Sequence, residues 1–116
     1  MQMTSISASD YRMACADLIN NAVLRPRMYF KTLSEFEAII RGHQAAFEQL
    51  KSIDRSESFH ECFSEWLQQN MDSSGAAGWA YAIEVLAEQT GKDPEVLFCN
   101  LVPKFLEQWE FDDTAK

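Results

Sequence analysis

Apolar residues recur along this chain with a helical period and never alternate over a useful length. Tyr11, Ala14, Cys15, Leu18, Ile19, Ala22 and Val23 follow the i, i+3, i+4, i+7 spacing of one helix face. Ser9 or Asp10 is expected to cap that helix, and Arg25-Pro26 to end it, because proline disfavours α backbone in the residue before it. Phe36, Ile39, Ile40, His43, Phe47 and Leu50 line a second helix, opened by a capping box at Ser34 and Glu37 and running to about Lys51. Ser58 and Glu61 open a third in the same way. Its face is Phe59, Cys62, Phe63, Trp66 and Leu67, and it ends near Asn70. A fourth is expected over about Ala76 to Gln89, with Trp79, Ala82, Ile83 and Leu86 inward and Gly91 as its stop. Asp93-Pro94-Glu95 starts a fifth, carrying Leu97, Phe98, Leu101, Val102, Phe105, Leu106 and Trp109. Pro103 inside it predicts a kink or a split. The pattern predicts an all-α fold: one domain of about five helices over residues 1–116, with 1–8 and 112–116 frayed.

Between the first two helices, Arg25-Pro26-Arg27-Met28-Tyr29-Phe30 has no helical period. Three large side chains together predict a connector packed on the core, with the two arginines in structural roles.

Length and composition agree with this picture. A chain of 116 residues that is 47% hydrophobic and 12% aromatic can bury one core without disulfides or metals. Cys15, Cys62 and Cys99 are odd in number and far apart, and no basic, apolar leader opens the chain, so a cytosolic protein is expected. No run approaches the ~20 apolar residues of a membrane span.

Charge narrows the function. The formal net charge is −8. Residues 1–53 hold six basic and five acidic groups; residues 54–116 hold four basic and thirteen acidic ones. Nucleic-acid and anionic-membrane binding both need clustered bases, so neither is expected. A basic protein partner suits this charge. Glu57, Glu61 and Glu65 are spaced i, i+4, i+8 and form one stripe if the third helix reaches back to Glu57, with Asp72 beyond its far end. Glu84 and Glu88 repeat the spacing, with Tyr81 beside them. Like charges at i, i+4 repel by a few tenths of a kcal/mol. Tolerating that on two successive helices makes these seven residues the candidate partner-binding set, against the plainer reading of a solvated acidic face.

Catalytic and metal chemistry find little support. His43 sits on an apolar face and reads as structural. His60, Glu61 and Cys62 are consecutive and so point in different directions on a helix. No zinc spacing, phosphate loop or nucleophile motif occurs, and no cofactor or enzymatic activity is expected. The cysteines fall on apolar faces, where thiols are usually inert.

The segment Arg25-Pro26-Arg27-Met28-Tyr29-Phe30, followed by Leu33, Phe36 and Ile40-Arg41-Gly42-His43, resembles small bacterial immunity proteins of polymorphic toxin systems, including contact-dependent growth inhibition. Phe63-Ser64-Glu65-Trp66-Leu67 and Gly78-Trp79-Ala80 resemble later blocks of that group, and the likeness covers about Ala22 to Leu106. Arg27 stands where the group often has glycine, which puts the turn geometry there in question. The resemblance implies a cytosolic protein that binds and blocks one cognate toxin domain, often a nuclease; a monomer or small homo-oligomer is expected. It supplies no catalytic residues. The alternative is a helical adaptor that binds a host protein through an apolar groove.

Overall fold

The computed structural model describes residues 7–51, 53–74 and 76–111, with side chains as far as Trp109. The fold is an all-α bundle of five helices: α1 (Ala8–Leu24), α2 (Leu33–Gln49), α3 (Phe59–Met71), α4 (Trp79–Thr90) and α5 (Pro94–Phe111). Short 3-10 turns at Pro26–Met28 and Arg55–Glu57 join α1 to α2 and lead into α3. α5 packs on α1 and α4, and α2, α3 and α4 pack on one another. The termini expected to fray are only partly described: Ser7 and Ala8 begin α1, and residues 1–6 and 112–116 lie outside the described residues.

Helix starts follow local chemistry, with shifts of register. Ser7, not Ser9 or Asp10, caps α1. Its Oγ accepts the Asp10 N–H at 3.1 Å and its own N–H donates to the Asp10 carboxylate at 2.9 Å. This start lets Tyr11 reach the core, where it is fully buried. Thr32, not Ser34, caps α2 through the Glu35 N–H at 3.2 Å, while the Glu35 carboxylate accepts the Lys31 N–H at 2.8 Å. Leu33 is thereby buried in the first turn. Ser58 caps α3 as expected, accepting the Glu61 N–H at 3.2 Å. Asp93 caps α5 through the Val96 N–H at 3.1 Å, with Pro94 first in the helix.

α4 begins three residues later than the pattern suggests. Gly78 holds φ +98° and ψ 155°, backbone that no helix contains, so Ala76 and Ala77 stay in the preceding turn. α5 continues through Pro103, which is exposed. There the ring faces water, so the helix carries the proline without burying it.

Aromatic rings build the core. The Trp79 ring stacks on Phe98 at 5.2 Å between centroids and meets Phe59, Phe63 and Phe36 edge-on at 5.6, 5.8 and 6.4 Å. Phe59 also meets Trp109, which lies edge-on to Tyr11. The buried Tyr11 hydroxyl accepts the Phe59 N–H at 2.8 Å, so α1 satisfies a backbone donor in the first turn of α3. Phe30 of the connector is buried and stacks on Phe36 at 4.8 Å. Met28, expected beside it, is 73% exposed, because the 3-10 turn swings it outward. Arg27 ties that turn to α5 through Glu95 at 3.0 Å, an exposed pair worth about 0–1 kcal/mol. Ile39 and Leu50, expected inward, are exposed. Ile39 lies beside the Phe36–Ile40–His43–Phe47 stripe, and Leu50 falls past the last helical residue.

Candidate protein-interaction surface

Between Arg55 and Lys92 the chain contains no lysine or arginine. All of α3, the loop after it and all of α4 are built from this segment. The two helices pack together, and neither carries a lysine or arginine of its own.

The candidate residues divide by position. Glu61 and Glu65 are exposed one turn apart on α3. Glu57 is not on that helix, because Ser58 is its cap. It closes the 3-10 turn, with its carboxylate accepting the Asp54 N–H at 3.0 Å. Asp72 ends α3 in left-handed backbone at φ 52°, exposed. On α4, Tyr81 is 56% exposed and Glu88 is exposed, while Glu84 is half-buried.

Three cavities meet these acids. Glu61 borders one of about 260 Å³ between α2 and α3, shared with Arg41, Gln44, Glu48, Arg55 and His60. Glu65 borders a second of about 260 Å³ between α3 and α5, walled by Trp66, Phe105 and Trp109. Glu84 borders a third of about 250 Å³, with Arg27, Lys31 and Glu95 around it. The seven candidate residues therefore serve several neighbourhoods. Glu61 and Glu65 are the pair the structure keeps on one exposed helical stretch.

The sequence reading missed a polar cluster at the first of these cavities. Glu37, released from capping α2, reaches the start of α4. Its Oε2 accepts the Ala80 N–H at 3.2 Å. Gly78 has no side chain to cap α4, and a Cβ there would lie 2.6 Å from the same oxygen. A carboxylate at a helix N-terminus also meets the positive end of its dipole. His60 Nδ1 lies 3.9 Å from that Oε2, and its Nε2 is 3.4 Å from Arg41 Nη2. Arginine can only donate, so Nε2 is the acceptor and the imidazole proton sits on Nδ1, toward Glu37. The signal in the sequence was a helix start, Gly78-Trp79-Ala80, with no capping side chain of its own.

Both histidines are held neutral. Burial lowers the pKa of His43, whose ring lies against Phe47 and Tyr11 at 5.1 and 5.8 Å. Burial is also the largest cause of the lowering at His60. Arg41 adds to it, and Glu37 and Glu61 oppose it. Below the ordinary value of 6.5 the unfolded chain takes up protons that these two side chains resist in the fold. Stability is then fully present above that pH and is lost as pH falls through the window beneath it. Urea midpoints measured on either side of pH 6.5 are expected to show this fall, and replacing both histidines with glutamine is expected to flatten it. An unchanged slope in the double variant would assign the acid sensitivity elsewhere.

Burial raises the Cys15 thiol to about 12 and also raises Cys99, with Glu95 and Asp93 adding to the latter. Neither is an activated nucleophile. Among the described residues no group of three His, Cys, Asp or Glu could hold a metal ion, and no helix is long and apolar enough to cross a membrane. No family model, curated protein or solved structure matches the chain.

Proposed function

We propose that this chain is an immunity protein that binds a basic toxin domain of nuclease type and blocks it by occupying its substrate-binding face. The observation that carries this reading is the base-free segment between Arg55 and Lys92, folded into two packed helices with Glu61, Glu65 and Glu88 exposed. A nuclease face is positive because it binds phosphates. A rigid acidic surface can compete for it, with association steered by charge and weakened by salt. The resemblance around Arg25–Phe30 supports the same reading.

The test is co-expression with the product of the gene immediately upstream, followed by affinity purification at low and high salt. The expected result is restored growth and a one-to-one complex that loosens as salt rises. Absence of both complex and protection would contradict the proposal. A complex indifferent to salt would instead point to an adaptor that binds through an apolar groove.

A further inference from the structure

The cleft between α3 and α5 differs from the other two cavities in one respect. Those two already contain cations of the chain, Arg41 and Arg55 in one and Arg27 and Lys31 in the other. Among the described residues, none lines the α3–α5 cleft. Its walls are the wrong chemistry for an anion and the right chemistry for a flat cation. Phe105 and Trp109, each 4% exposed, stack at 5.5 Å and form its floor. Trp66 is half-buried, lies edge-on to Phe105 at 6.1 Å and supplies the more open aromatic surface. The electron-rich faces of tryptophan attract guanidinium groups, which are planar and weakly hydrated.

Glu65 stands at the rim. One of its oxygens accepts the Gln69 amide at 3.3 Å, and among the described residues no lysine or arginine reaches it. The amide oxygens of Gln69 and Gln108 are further acceptors around the same opening. The volume, about 260 Å³, admits a guanidinium with part of its stem. An exposed carboxylate beside an aromatic wall, in a segment with no base of its own, is complementary to a planar cation such as an arginine side chain.

We infer that the Trp66–Phe105–Trp109 cleft, closed by Glu65, is the seat of an arginine side chain presented by a basic protein partner. This rests on the proposed function for the identity of the partner, and on the cleft alone for the chemistry of the guest. The guanidinium lies against Trp66 and pairs with Glu65. Excluding water from the cleft strengthens both contacts. Arginine is preferred over lysine because only the planar fork can stack and pair at once.

The probe is the peptide acetyl-Gly-Arg-Gly-amide, titrated into the intact chain at low ionic strength while the tryptophan indole N–H resonances are followed by NMR. Trp66 and Trp109 are expected to shift saturably. Trp79, sealed in the core, is expected to stay still. The citrulline peptide, equal in shape but uncharged, is expected to leave all three unmoved. Glu65→Gln, a change at an exposed site, is expected to weaken the arginine peptide about 3- to 10-fold. Indole resonances that do not move, or that move equally with citrulline or in Glu65→Gln, would overturn the assignment. So would a toxin complex bound equally by the wild type and Glu65→Gln, although the immunity reading would survive it. Arginine-selective shifts in a chain that protects against no toxin would uphold the cleft and remove the immunity reading.

Discussion

Truncation of Trp79 to alanine is expected to lower the free energy of unfolding by about 3–5 kcal/mol, the range for deleting a buried aromatic. A domain of this size has roughly 5–15 kcal/mol in all. Trp79 joins Phe36 of α2, Phe59 and Phe63 of α3, and Phe98 of α5, so its loss opens a void where four helices meet. The surrounding rings come from separate helices and cannot all close on it. Phenylalanine is expected to be far milder. It keeps the stack on Phe98, and it removes an indole N–H that is buried with no acceptor among the described residues. Relief of that unmet donor, about 1–3 kcal/mol, offsets much of the lost volume. Urea midpoints of the two variants test this. A Trp79→Ala midpoint close to that of the wild type would place the core elsewhere.

Gly78→Ala is the second large effect, expected at about 2–4 kcal/mol although only one methyl group is added. At φ +98° and ψ 155° the backbone sits in a region essentially reserved for glycine. The added Cβ would also lie 2.6 Å from Glu37 Oε2 and push it off the Ala80 N–H. Strain and cap loss are separable by a double-mutant cycle with Glu37→Ala. Part of the Gly78→Ala cost is loss of the Glu37 contact, so the double variant is expected to lose less than the two singles together. Strict additivity would show that Glu37 does not cap α4.

These two sites mark where sequence reading succeeded and where it stopped. Trp79 was legible as a core residue because its neighbours Ala82, Ile83 and Leu86 repeat its spacing, and helix faces follow from period alone. The role of Glu37 was not legible. Ser34–Glu37 and Thr32–Glu35 both fit a capping box, and period does not choose between them. Burial of Leu33 chooses, and that is a tertiary fact. Once Thr32 caps α2, Glu37 is free to serve a helix more than forty residues away, a pairing that no local pattern encodes. The early start expected for α4 failed for the same reason: Ala76 and Ala77 are good helix formers, but the turn at Gly78 overrides them.

The candidate surface was partly legible. Exposure of Glu61, Glu65 and Glu88 followed from their spacing opposite the apolar faces. Glu57 would join the stripe of Glu61 and Glu65 only if α3 reached back past Ser58, and the Ser58 cap read from the sequence stops it one residue short. The aromatic cleft beside Glu65 could not be read at all. Trp66 is on α3 and Phe105 and Trp109 are on α5, and only packing brings them together.

Acids on α3 are proposed to draw a basic partner to this chain by charge. The most direct measurement is the association rate of the complex, with and without reversal of Glu61 and Glu65 to lysine, across a series of salt concentrations. The double reversal is expected to slow association about tenfold at low salt, to converge with the wild type as salt rises, and to change dissociation less. Equal association rates and equal salt slopes for the two proteins would contradict it.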